Sequence, residues 1–219
     1  MLRARPARAE VAGLRYAQMT IAAPLSARVL PMPKPGRVGL IAAWDDDQAL
    51  ERFLEAHPLA AQLAHGWRVR LQPTRVSGAW SRLPGLPEDE QPMDDQEPAA
   101  VLTLGRLRLT QAIRFLQASA AAEELAIGDE ALLASTGLAR PPRLVATFSL
   151  WRTTAAMRAY ATGHADPAHL EAVRAQNARP FHHESAFVRF RPYAARGSWD
   201  GIEPLARLKT RGDRLGAKI

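Results

Sequence analysis

The chain contains no cysteine. That excludes disulfides, thiolate metal sites and a cysteine nucleophile, and it suits a reducing, cytoplasmic setting. No apolar run reaches the ~18 residues that a membrane-spanning helix needs. The Arg-rich opening MLRARPARAEVAG leads into no continuous apolar segment, so a secretory leader is not expected. A phosphate-binding Walker loop, a dinucleotide Gly fingerprint, a zincin helix and a nucleophile elbow are all missing. No pair of carboxylates stands out except in the acidic segment 82–98.

What is present is enough apolar material for a core. Of 219 residues, 47% are hydrophobic, which fits one large domain or two small ones. The net charge is +7, and it is unevenly placed. Arg3, Arg5, Arg8 and Arg15 against Glu10 at one end, with Arg207, Lys209, Arg211, Arg214 and Lys218 against Asp213 at the other, account for the whole excess. Such tails suit an anionic membrane surface, while a nucleic-acid reader is expected to carry its basic patch within the folded part. No such patch is legible in the sequence, and no nucleic-acid partner is expected.

One sentence is written twice. Residues 69–80 read VRLQPTRVSGAW, and residues 188–199 read VRFRPYAARGSW. Upstream, Trp44 and Trp151 each close a short β-like run, Ala49 and Ala156 follow at equal distance, and so do Phe53 and Tyr160. Self-similarity over this length implies a duplicated structural unit. Asp45 or Asp46 can cap the first helix, Thr153 or Thr154 the second, and Pro58 and Pro167 each open a further helical segment. Pro73 and Pro192 are expected to end an edge of the ladder, Gly78 and Gly197 to permit a bulge or tight turn, and Trp80 and Trp199 to plug the ends.

The stretch 82–98, with four prolines and six acidic residues, reads as a solvated linker. It divides the chain into a half at 1–81 and a half at 99–203, followed by a basic tail at 204–219. The second half predicts β-α-β-β-α-β, the ferredoxin-like order, with Thr110 capping its first helix, Gly128 stopping it, and LLASTGL as second strand. The first half is short: residues 12–22 are expected to be its first helix, with no strand before them. The fold class expected is therefore α+β, two tandem ferredoxin-like units with the first truncated. Their antiparallel sheets would pack as an α/β-barrel-like core around a ligand cavity.

The strings ATFSLWRTTAAMRAYA, HLEAVRA and FVRFRPYAARGSWDG resemble the spheroidene monooxygenase family, as do AAVLTLGRLRL and WRVRLQPTRVSGAW. The resemblance runs over roughly residues 38–203. It implies a ferredoxin-like, dimeric α/β-barrel fold and O2-dependent oxidation of an acyclic carotenoid, adding a keto group near a chain end. Haem is the cofactor it implies. The partners are then an apolar small-molecule substrate and an electron donor, with a homodimer and a peripheral contact of the basic tails with the inner membrane also allowed. Two other readings are a non-catalytic relative holding haem or a hydrophobic ligand, and a monooxygenase for a different small substrate on the same scaffold.

Without cysteine, an iron ligand has to be His, Tyr or Met. His169 is the first choice for both metal and cofactor binding. It lies in DPAHLEAVRAQN, in the first turn of a predicted helix capped by Asp166, where the positive helix end favours neutral imidazole. It also falls where the resemblance places a His. His164 is a candidate distal donor. His182 and His183 precede the last strand, and in extended backbone only one of them reaches a cavity. Arg189, with Arg191, is the candidate partner for haem propionates.

Overall fold

The computed structural model describes residues 10–25, 36–81, 83–162 and 180–206. Strands β1 (Leu14–Ala23) and β2 (Val38–Trp44) come first. Helices α1 (Asp47–Ala56) and α2 (Pro58–Leu63) lead to β3 (Arg68–Gly78). Then follow β4 (Ala99–Leu107), a 3-10 turn (Leu109–Gln111), α3 (Ala112–Ile127), β5 (Leu132–Arg140), β6 (Leu144–Trp151), α4 (Thr154–Ala161) and β7 (His182–Arg196).

The strands make one curled antiparallel sheet in the order β2-β1-β5-β6-β4-β7-β3. Two sheets facing each other were expected, and this is corrected. The β1–β5 and β3–β7 ladders stitch both halves into a continuous sheet whose two edges are β2 and β3. The α+β class and the β-α-β-β-α-β order of the second half hold.

The expected helix at 12–22 is also corrected. Leu14, Tyr16, Ala17, Met19 and Ala22 are buried in strand β1. A strand covered on both faces reads as a near-continuous apolar run, and periodicity cannot separate it from a helix. Local signals fared better. Asp46 caps α1 by accepting from the Ala49 amide at 2.7 Å, and Thr153 caps α4 through the Ala156 amide at 3.1 Å. Pro58 opens α2, where its missing N–H costs nothing. Thr110 is not the cap of α3; it sits inside the preceding 3-10 turn, and α3 starts at Ala112. Pro167 lies outside the described residues.

Both repeat prolines sit within strands rather than ending them. Pro73 stands on edge strand β3 opposite Phe190, and Pro192 faces Leu71 beyond the last residue of β7 that pairs with β4, so both lie in the outermost ladder of the sheet, where proline is tolerated. Bulges in the β3–β7 ladder at Arg70/Leu71 and Pro73/Arg75 absorb the local misfit.

The concave face of the sheet holds the main core, with Leu102, Leu104, Phe148, Leu150, Val188 and Phe190 at its centre. Burial of each such side chain contributes about 1.5–3 kcal/mol. Helices α1 and α2 pack Phe53, Leu59 and Ala60 against Leu14, Ala17 and Met19 of β1. The acidic segment, read as a solvated linker, is exposed over much of its length and is also tied down as a strap. Met93 is buried against Ala99, Trp151 and Met157. Glu90 binds Arg189, Glu97 binds Arg191 and Asp95 binds Arg158. Three of the six acids, Glu90, Asp95 and Glu97, are thus engaged by arginines of β7 and α4, and Glu90 also meets Arg75 of β3.

Candidate active site

Because the sheet curls, its edges β2 and β3 face a common cleft of about 1260 Å³. Each of the seven strands contributes to its wall, from Ala22 on β1 to Phe190 on β7. The interior wall is apolar: Leu102, Leu138, Phe148 and Phe190 come from the central strands, and Leu50, Phe53 and Leu63 from the two helices behind the gap.

Three aromatic rings meet inside. Trp67 stands edge-on to Trp199 with centroids 5.2 Å apart and lies 5.9 Å from Phe148; Phe148 and Trp199 are 6.4 Å apart. Trp199 is positioned by a small hairpin, bridged to Ile202 across Asp200 and Gly201, both of which have positive φ. An Asp-Gly pair is the sequence such a turn selects.

Several charges of the cleft are paired within the protein. Arg37, just before β2, forms a two-pronged ion pair with Asp200 of that hairpin. Arg70 on β3 pairs with Asp47 and Glu51 of α1. The Tyr193 hydroxyl donates to Asp47 at 2.8 Å. Burial, the bond to Asp47 and the charge of Asp47 push that phenol up to about 12, so it stays protonated at neutral pH.

The sequence-predicted residues are placed as follows. His169 and His164 lie outside the described residues. His182 does not face the cleft: its ring lies over Gly105 and against Phe115 and Phe181, with both nitrogens buried and unpartnered. Burial lowers its pKa, which keeps it neutral. His183 is exposed and bonded to Arg143 at 3.1 Å. Arg189 is turned away from the cleft, its guanidinium bound to Glu90 and to Thr74 Oγ1, and buried to 6% exposure. It is not free to meet a propionate. Arg191 is engaged by Glu97 and the Pro92 carbonyl.

This lining offers haem few ligands. The imidazole among the described cleft residues is His65, exposed at the mouth, and the phenol is Tyr193, committed to Asp47. Neither stands on the apolar floor, so the described residues alone do not fit a haem. Among them no group of three or more His, Asp or Glu is gathered to hold a metal ion. Sequence reading missed the Trp67–Phe148–Trp199 cluster. Trp199 was legible as a plug; Trp67 and Phe148 lie inside strings that carry the family resemblance, but nothing local marks them as neighbours, and distant elements bring them together.

No family model matches the chain. Solved structures of similar outline include candidate monooxygenases from Fusobacterium nucleatum and Lactobacillus acidophilus, each 8% identical, at TM-scores of 0.43 and 0.41. They cover 85% of this chain and 79% and 80% of theirs, a likeness too distant to bear on function. Curated relatives are far nearer. The spheroidene monooxygenase of Rhodobacter capsulatus is 33% identical over 182 residues, covering 80% of this chain and 75% of the relative. That of Rubrivivax gelatinosus is 33% identical over 175 residues, covering 77% of this chain and 65% of the relative. That of Cereibacter sphaeroides is 26% identical over 185 residues, covering 82% of this chain and 56% of the relative. The chain thus spans less than two thirds of the length of the latter two. A third of the positions shared over four fifths of the chain places it, with the first of these, in the spheroidene monooxygenase family and so among the monooxygenase enzymes.

Proposed function

We propose that the protein catalyses the O2-dependent oxidation of an acyclic carotenoid or a similar apolar isoprenoid. The reading is carried by one conjunction: a chain one-third identical to a spheroidene monooxygenase encloses an apolar cleft of about 1260 Å³. That exceeds the ~300–1,000 Å³ usual for small-ligand pockets and suits a long chain-like substrate. The walls bind by burying apolar surface and exclude water from the reacting carbon. Arg37–Asp200 and Arg70–Asp47 neutralise one another at the rim, so these four charges ask nothing of the ligand. An electron donor is part of this reading, since monooxygenation consumes reducing equivalents along with O2.

Haem belongs to the reading only through His169, with His164 near it, both outside the described residues. Bound there it would supply O2 activation. Loss of a Soret band in His169→Ala, after expression with haem available, supports it; a colourless protein indifferent to hemin removes it.

The tandem ferredoxin-like arrangement is also proposed. The first half, β1-β2-α1-α2-β3, matches the second from β5 onward. In the second half β4 lies between β6 and β7; the corresponding place between β2 and β3 is the cleft. The binding site then occupies the position of a strand.

The test of function is turnover. The full chain, a reductant, O2 and an acyclic carotenoid are incubated and the products separated by mass. A product bearing a new keto oxygen, labelled from 18O2, is expected. Turnover of a small polar substrate with none of the polyene would overturn the reading.

A further inference from the structure

We propose that one end of the sheet, formed by Arg106, Arg108, Arg143 and His183 with Leu109 and Ile113 beside them, docks the protein on an anionic lipid surface. Backbone hydrogen bonds assemble this corner. The Leu107 amide donates to the Arg143 carbonyl and the Arg108 amide to the Phe181 carbonyl, each at 2.8 Å. The end of β4, the turn between β5 and β6 and the start of β7 therefore meet.

The charge there is one-sided. Arg108, Arg143 and Arg106 all act on His183, which is held below its ordinary pKa first by desolvation and then by these cations. The acid facing them is Glu184, taken up by Arg106 and by the Ser81 amide. Among the described residues no carboxylate pairs with Arg108, Arg143 or Arg114. The Arg108 guanidinium donates to the His182 carbonyl, and Arg114 lies over the Phe181 ring and donates to Gln111.

Apolar side chains stand out among these cations. Leu109 is 49% and Ile113 71% exposed, one helical turn apart on the same side. Pro141 and Pro142, both exposed, precede Arg143 in its turn. Aliphatic side chains ringed by arginines match a bilayer interface, where the chains enter the acyl boundary and the cations meet lipid phosphates. A single-stranded nucleic acid would call for exposed aromatic platforms instead, and the large exposed residues of this corner are aliphatic. The surface is distinct from the basic tails and does not depend on which substrate fills the cleft.

The full chain is sedimented with vesicles of phosphatidylcholine, alone or mixed with phosphatidylglycerol. Wild type is expected to bind the mixed vesicles and not the neutral ones. Arg108→Gln with Arg143→Gln should weaken binding by at least about tenfold. Leu109→Ser with Ile113→Ser should abolish the fraction that survives high salt. Unchanged unfolding midpoints show that the variants fold. Because every variant keeps both tails, undiminished binding in both pairs assigns the contact to the tails and overturns the proposal. So does equal binding to neutral vesicles, no vesicle binding, or loss of RNA binding in the arginine pair while vesicle binding persists.

Discussion

Gly78 and Gly197 occupy the same place at opposite ends of the β3–β7 ladder. Their φ angles are 87° and 88°, and a Cβ on Gly78 would overlap the Ser185 carbonyl oxygen just as one on Gly197 would overlap that of Gly66. The pairs between them answer one another. Leu71 faces Pro192 as Pro73 faces Phe190, and Val69 faces Ala195 as Val76 faces Val188. The ladder has a local two-fold axis near Gln72 and Arg191. The two copies of the twelve-residue sentence are thus paired with each other, strand against strand.

Substituting either glycine by alanine forces a side chain into a left-handed backbone and against a carbonyl. Gly78→Ala and Gly197→Ala are each expected to cost at least about 1–3 kcal/mol. The two sites lie at opposite ends of the ladder, so the double variant should show nearly the sum. Urea unfolding midpoints measure this. A neutral Gly197→Ala beside a damaging Gly78→Ala would break the equivalence of the two copies.

Those glycines were legible in the sequence, and so were Trp44, Trp151, Asp46 and Thr153, because a turn, a strand end or a cap is a local event. Strand β1 was not, since burial on both faces erases the alternation that marks a strand. The ties of the acidic strap were not legible for a related reason: composition gives the charge of Glu90 and Glu97, not the presence of Arg189 and Arg191 across from them. The cleft needed Trp67, Phe148 and Trp199 to converge from three elements. The basic corner likewise draws on β4, the β5–β6 turn and β7, so no run of charge announces it.

The strap gives a pH-dependent prediction. The hydrogen bond from Arg189 holds the Glu90 carboxyl below the usual carboxylate range. A carboxylate with a lowered folded-state pKa stabilises the fold above its unfolded value, near ~4.3, and loses that contribution as pH falls through the folded value. Stability should therefore drop below about pH 4 in wild type and drop less in Glu90→Gln. At neutral pH the same variant leaves the buried Arg189 without its carboxylate. It should lose about 1–3 kcal/mol in chemical denaturation.

His182 gives a second pH window. Its ring is buried without a partner for either nitrogen, and burial lowers its pKa. The unfolded chain takes up a proton near pH ~6.5, before the folded protein does, so stability falls as pH drops below that value. His182→Leu removes the titration and the two orphaned nitrogens, and it should be neutral or stabilising at pH 6. Gly105→Ala puts a methyl into the ring and should destabilise; combined with His182→Ala much of that loss should return. Thermal melts from pH 5 to 8 decide it. A wild-type midpoint that is flat across this range would show that the ring has found a partner.

The cleft makes the sharpest prediction about activity. Trp67, Phe148 and Trp199 form its aromatic cluster, and Trp199 is held there by the hairpin that Asp200 ties to Arg37. Removing an aromatic ring forfeits on the order of 100 Å² or more of apolar contact, about 2–3 kcal/mol at ~25 cal/mol per Å². Trp199→Ala and Trp67→Ala should each lower kcat/KM for a long polyene by at least about tenfold, mostly through KM, while Trp199→Phe keeps most of it. Asp200→Asn retains the turn but weakens the tie to Arg37, and it should raise KM by a smaller factor without lowering kcat. Quenching of tryptophan fluorescence on polyene binding separates the steps: it should be weakest in Trp67→Ala and Trp199→Ala. If both variants bind and turn over the polyene like wild type, the substrate does not enter between β2 and β3, and the open edges of the sheet serve some other purpose.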